Sequence, residues 1–249
     1  MIAPGSVRES PHRLALVTGA SRGLGEVVAT FLAGEGYDLL TTAREAAPLN
    51  VSAQQLRRFG SRIVPVAGDV GDPDHRRRLI ETSSELGPLH VLVNNASELG
   101  PSPLPPLASL PLHDFRRVID VNLMAPLALI QQTLPTMLNR GGLIVNISSD
   151  AAQAGYPGWG GYGASKAALD LVSLTLAHEL KGSRVGVVSV DPGDMRTTMH
   201  QAAYPGENIS DRPLPTVTIP FWAWLFGQDP LQVSGTRYRA QSDRWEIAQ

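Results

Sequence analysis

Six short apolar runs, at 14–17, 39–42, 63–67, 90–93, 143–147 and 185–190, recur along this chain, and segments of helical character at 27–32, 74–86, 112–138 and 164–180 lie between them. A run that is continuously apolar, instead of alternating with polar residues, suits a strand covered on both faces. Strands that alternate with helices imply parallel crossovers. The pattern therefore predicts an α/β fold: a doubly wound parallel sheet within a three-layer α/β/α sandwich. No internal repeat or linker breaks it, and 249 residues with 43% hydrophobic side chains can fill one large core, so residues 13–249 are expected to form a single domain.

Three segments stand outside the alternation. Residues 1–12 carry Pro4, Arg8, Glu9 and Pro11, lack the apolar stretch of a signal peptide, and read as a flexible tail. Between 100 and 111 proline is dense, which suits neither helix interior nor ladder and predicts an ordered surface loop. Residues 195–232, rich in Pro and Gly at first and then apolar, are expected to form a short lid over a ligand.

Composition removes several function classes. The formal charge is −2 and no long basic run exists, so a nucleic-acid groove is not expected; Arg76, Arg77 and Arg78 read as one solvated helix face. With no cysteine there is neither a disulfide nor a thiolate metal site, and Asp191 and Asp194 lack a His at ligand spacing, so no metal is expected. The apolar stretch Phe221, Trp222, Ala223, Trp224, Leu225, Phe226 is bounded by Pro220 and Gly227 and falls far short of the roughly 18 residues of a membrane span. A soluble, cytoplasmic protein is expected.

The first apolar run ends in Thr18-Gly19-Ala20-Ser21-Arg22-Gly23-Leu24-Gly25 and passes into an amphipathic segment. Glycines here permit a tight turn and let backbone approach a pyrophosphate, while the free N–H groups of the following helix attract phosphate. The spacing, Gly-x3-Gly-x-Gly, differs from the commoner Gly-x-Gly-x2-Gly. Farther on, Tyr162 and Lys166 lie four residues apart, one above the other on a helix. A cation beside a phenol is expected to favour the phenolate and to draw its pKa down from about 10 toward neutrality.

Taken in order, Thr18-Gly19-x3-Gly23-x-Gly25, Asp69-Val70, Asn94-Asn95-Ala96, Asn122, Ser149, Tyr162-x3-Lys166 and Pro192-Gly193 resemble the short-chain dehydrogenase/reductase family, in its single-domain, Rossmann-like branch. The resemblance covers about 13–198 and returns faintly near 233–240. It implies hydride transfer between a nicotinamide dinucleotide and a carbonyl or alcohol substrate. Tyr162 would then be the general acid or base, and Lys166 would lower its pKa and hold the nicotinamide ribose. Ser149, thirteen residues before Tyr162, would bind the substrate oxygen in preference to Ser148, and Asn122 would kink a long helix and support a water next to Lys166. The resemblance also implies cofactor contacts from Gly19, Ser21, Arg22, Gly23, Leu24 and Gly25; from Asp69 and Val70 at the adenine; from Asn95, Ala96 and Ser97 at the ribose; and from Pro192, Gly193, Met195 and Thr197 at the nicotinamide end, with Asn94 bracing the sheet.

At the end of the second strand the acid that would bind a ribose 2′-hydroxyl is absent; Arg44 stands there, and with Arg22 it could clasp a 2′-phosphate, so NADP(H) is favoured over NAD(H). Ser97 replaces a common glycine, Glu26 opens a usually apolar helix, and the lid is short. Tyr156, Trp159, Met195, Met199 and Tyr204 are candidate pocket walls, while His200 reads either as a pocket residue or, more commonly for a lone histidine, as polar surface. The long helices carry surplus apolar surface, and the resemblance implies that such helices pair across a two-fold axis in a homodimer or homotetramer. The competing reading is a catalytically silent dinucleotide sensor or scaffold with the same fold.

Overall fold

The computed structural model describes residues 13–247, so the tail expected over 1–12 lies outside the described residues. Each of the six apolar runs is a strand: β1 (Leu14–Thr18), β2 (Asp38–Ala43), β3 (Ile63–Ala67), β4 (Leu89–Asn94), β5 (Gly142–Ile147) and β6 (Val185–Asp191). A short edge strand, β7 (Arg237–Arg239), follows, and its polar sequence explains why periodicity did not reveal it. All seven pair in parallel in the order β3-β2-β1-β4-β5-β6-β7. The order reverses between β1 and β4, where neighbouring loops diverge and open a crevice at the carboxyl ends of the strands.

Helices cover both faces: α1 (Gly23–Gly34), α2 (Ala46–Leu56), α3 (Pro73–Leu86), α4 (Leu112–Ile119), α5 (Ala125–Arg140), α6 (Gly160–Glu179), α7 (Thr198–Ala203), α8 (Ile219–Phe226) and α9 (Pro230–Val233). Successive strand residues feed opposite cores because side chains alternate across a sheet. Val17, Leu39, Val93 and Val188 pack with Val28 and Leu32 of α1 and Leu49 of α2. Leu16, Leu40, Leu92 and Val187 pack on the other side with Leu79 of α3 and Leu129 of α5.

Three segments differ from their sequence reading. α2 escaped notice because Pro48 and its polar residues mask the stripe of Leu49, Ala53 and Leu56 that it buries. The helix expected over 112–138 is divided by a π-helical turn, Asp120–Met124, which carries Asn122. Within the segment expected as a lid, α8 belongs to the core: Phe221, Trp222 and Leu225 are fully buried, and Phe226 stacks on Phe31 of α1. The expected bracing role of Asn94 has a concrete form, since its Nδ2 donates to Asn146 Oδ1 (2.8 Å), and Asn146 Nδ2 in turn donates to Ser173 of α6 (2.8 Å). No helix among the described residues is long and apolar enough to cross a membrane.

Candidate active site

The turn after β1 is shaped by its glycines. Gly19 and Gly23 have φ of +67° and +62°, a conformation that strains other residues. A Cβ on Gly25 would stand 2.2 Å from the Gly19 carbonyl oxygen, so this glycine permits the turn and α1 to touch. Thr18 Oγ1 accepts the N–H groups of Asn95 and Ala96 (both 2.9 Å), and Asn95 Nδ2 donates to the Thr18 carbonyl (2.9 Å), which ties the loops after β1 and β4 together. Between them lies a cleft of about 380 Å³.

Most of the expected cofactor residues meet in this cleft. Gly19, Ser21, Arg22, Gly23 and Leu24 form its floor, and Asn95, Ala96 and Ser97 one wall. Arg44, Asp69 and Val70 stand on the rim, Tyr162, Lys166, Pro192 and Met195 close the far end, and Thr197 stands against Gly23 of the turn. Gly25 packs beneath the turn, and Gly193 lines an adjoining cavity instead. The site fits a dinucleotide: it opens at the switch point, and α1 begins at Gly23, where the preceding Arg22 offers no side-chain cap to the first N–H groups.

The rim is more acidic than the sequence suggested. Arg44 pairs with Glu98 (2.9 Å) and Arg22 with Glu45 (3.1 Å), so both arginines expected at a phosphate already hold carboxylates. Burial alone would raise the Asp69 pKa, yet the Gly71 N–H and the Arg117 guanidinium hold it below the usual carboxylate range. Glu98 and Arg117 were missed because no local motif marks them: Glu98 follows Ser97 directly, but its part depends on Arg44 from a distant strand end, and Arg117 reaches the cleft from α4.

At the far end, Tyr162 and Lys166 occupy one face of α6, both buried. Lys166 Nζ donates to the Ile147 carbonyl at the end of β5 (2.7 Å) and stands 5.5 Å from the centre of the Tyr162 ring. The expected depression of the tyrosine pKa is not found. Burial pushes Tyr162 up to about 12, with Asp191 and Asp150 adding to the rise and hydrogen bonds with Ser97 and Ser149 opposing it. Burial also lowers Lys166 to about 8, offset in part by Asp170. Desolvation of two charged forms outweighs what spacing alone implies, and the phenol is held protonated.

Ser149 Oγ lies within hydrogen-bonding reach of Tyr162, donates to Asp150 Oδ1 (3.0 Å) and accepts the Ala151 N–H (3.2 Å). Its neighbour Ser148 is buried with its hydroxyl unpartnered. Asn122, in the π-helical turn, accepts from Ser97 Oγ (3.1 Å) and the Glu98 N–H (2.7 Å) and donates to the Glu98 carbonyl (2.8 Å) and Ser165 Oγ (2.9 Å). Its side chain is thus spent on holding the loop after β4 against α6.

A second cavity, of about 510 Å³, adjoins the cleft, and Tyr162 lines both. Tyr156, Trp159, Met195, Met199 and Tyr204, the candidate pocket walls, all line it, together with Ser149 and His200. His200 is a pocket residue and not open surface; its ring lies 5.1 Å from that of Tyr204. Arg237 of β7 is another residue the sequence reading missed. It donates to the Ser149 carbonyl (2.7 Å), to Asp170 of α6 (2.9 Å) and to Asp191 (3.3 Å), and so fixes the serine loop to the sheet and to α6. A polar residue in an otherwise unremarkable edge strand was its sole signal.

Comparison with known proteins agrees with this geometry. The family model for short chain dehydrogenases matches residues 13–208. A serine 3-dehydrogenase of Rhizobium radiobacter is 34% identical over 184 residues, 73% of this chain and 72% of that one. A short chain dehydrogenase structure from Pseudomonas syringae superposes with a TM-score of 0.86 at 33% identity, covering 97% of this chain and 100% of that one. Another from Escherichia coli CFT073, complexed with NADPH, gives 0.85 at 29% identity over 92% of this chain and 97% of that one, and one from Shigella flexneri 2a, complexed with NADP, gives 0.85 at 28% identity over the same shares, 92% and 97%. With its parallel sheet, glycine turn and Tyr162–Lys166 helix, the chain belongs to the short chain dehydrogenase family of oxidoreductases.

Proposed function

We propose that the protein is an NADP(H)-dependent reductase or dehydrogenase acting on a carbonyl or alcohol, with Tyr162 as the group that gives or takes the proton. One observation carries this reading: Tyr162 lines both the cleft and the adjoining cavity. A dinucleotide bound in the cleft would supply or accept hydride at that junction. Tyr162, kept neutral by burial, suits a proton donor to a carbonyl oxygen. Ser149 would donate to the same oxygen as charge grows on it, with its loop held by Arg237. Lys166, buried and bonded to Ile147, would place a positive charge under the phenol and bond the nearby ribose. Asn122 would keep Ser97 and Glu98 in register with α6.

Arg44 and Arg22, both lining the cleft, favour NADP(H), and NADP- and NADPH-bound neighbours support that choice. The exposed Leu171 and Leu174 of α6 support a homodimer or homotetramer, which light scattering would test. The substrate of a relative, such as serine, belongs to that relative. A screen of ketones, aldehydes and alcohols with NADPH and NADH, followed at the nicotinamide absorbance, tests the reading. Tyr162→Phe should lose at least about 100-fold in turnover and keep nucleotide affinity. Full activity in that variant would reject the proton role, and nucleotide binding with no turnover of any compound would favour a silent sensor.

A further inference from the structure

The cavity beside Tyr162 has an acidic lining that proton transfer does not require. Asp150, Asp191 and Asp194 line it, and no Lys or Arg does. Asp191 is answered by Arg237 (3.3 Å). Asp194 faces Arg212 at 3.7 Å and His200 at 3.8 Å, both longer than a hydrogen bond. Asp150 differs from both. Its carboxylate accepts from Ser149 Oγ (3.0 Å), the Ala151 N–H (2.8 Å) and the Tyr156 hydroxyl (3.0 Å), all neutral donors, and among the described residues no cation pairs with it.

A second observation lies in the same wall. His200 Nε2 is buried with no hydrogen-bond partner, on a side chain only 10% exposed. A buried polar atom without a partner marks a place where a ligand group completes the site. Trp159 and Tyr204, 6.1 Å apart between ring centres, add aromatic faces next to the carboxylates. Carboxylates and aromatic rings that line one hollow form the surface that recognises alkylammonium groups.

We infer that the substrate of this cavity carries a cationic nitrogen, an ammonium or quaternary ammonium group on an apolar body, which pairs with Asp150 against Trp159 while the carbonyl or alcohol carbon faces Tyr162. The inference deepens the redox reading above and rests on it. It also links recognition to chemistry. Ser149 directs its hydroxyl hydrogen at Asp150, and a cation on that carboxylate competes for it, freeing Ser149 to turn toward the substrate oxygen. An anionic substrate would meet three carboxylates and find no Lys or Arg in the lining.

The test uses methyl ketones that differ at one end: a trimethylammonium group, its neutral isostere tert-butyl, or a carboxylate. kcat/KM is measured with NADPH held constant, and binding is read separately from the tryptophan fluorescence of the protein. The trimethylammonium ketone should exceed the tert-butyl ketone by about tenfold, with the carboxylate last. Asp150→Asn should collapse that ratio toward one, and Asp194→Asn should lower it less. The tert-butyl compound matching the cation in both rate and binding overturns the inference, as does a ratio that survives Asp150→Asn. Preferential binding of the cation without turnover of any ketone would instead overturn the redox reading and uphold the cation site.

Discussion

Lys166 stands 5.5 Å from the centre of the Tyr162 ring, yet its hydrogen bond, at 2.7 Å, goes to the backbone carbonyl of Ile147. The cation is therefore anchored to the end of β5 and not to the phenol it was expected to activate. Both groups are buried deeply enough for desolvation to dominate, which keeps the tyrosine protonated and lowers the lysine to about 8.

Replacement of Lys166 by Met should separate stability from function. Between pH 10.5 and about 8 the unfolded chain keeps a proton that the folded chain releases, so folded stability falls as pH drops through that window and stays low below it. Met carries no such penalty. At pH 7 the variant should be more stable by about 1–2 kcal/mol in urea unfolding, while turnover falls by at least about 100-fold. A variant less stable than the parent at pH 7 would contradict the desolvation argument.

Arg44→Ala should weaken NADPH by about tenfold to hundredfold, as expected for a lost charge-assisted bond, and leave NADH nearly unchanged. Because Glu98 holds Arg44 in a partly exposed pair, Glu98→Gln should tighten NADPH by a modest factor of about two to five. Fluorescence titration with both nucleotides decides. Equal losses for NADPH and NADH in the Arg44 variant would remove the phosphate contact.

Gly25→Ala would bring a methyl group within 2.2 Å of the Gly19 oxygen. Overpacking between backbone segments should cost about 1–3 kcal/mol and displace the turn, with nucleotide affinity falling at the same time. Unchanged affinity would mean that the cleft tolerates a different turn.

Arg237→Met would leave Asp170 and Asp191 without their shared cation and the Ser149 carbonyl without its donor. Stability should fall by about 3 kcal/mol, and Lys should restore only part of it because one ammonium cannot reproduce the forked geometry. Chemical denaturation of the three proteins measures this.

His75 is buried against Thr42 (2.8 Å), and burial, followed by the charge of Arg78, lowers its pKa from 6.5. Below that pH the unfolded chain takes up a proton that the folded chain resists, so stability should decline on acidification. His75→Gln should flatten the decline between pH 7.5 and 5.5 in urea midpoints; an identical slope would place the acid sensitivity elsewhere.

The strands were legible because each of the six is a predominantly apolar run, and the glycine turn because Gly19, Gly23 and Gly25 stand where backbone must bend and touch. α2 and β7 were not, since Pro48 and the Arg-Tyr-Arg strand carry no periodic signal. Phe221 and Trp222 read as part of a lid until packing against α1 placed them in the core.

Sequence alone determined the six longer strands and their alternation with the main helices, the glycine turn and the Tyr162–Lys166 spacing, all of which depend on residues near one another along the chain. Tertiary structure decided the charge environment. Glu98 reaches Arg44, Arg237 reaches Ser149, and Asp150 faces an aromatic hollow only once the sheet brings distant segments together. Burial and Coulomb interactions depend on distances in space, so the protonation of Tyr162 and the acidity of the cavity follow from the fold and not from the local pattern.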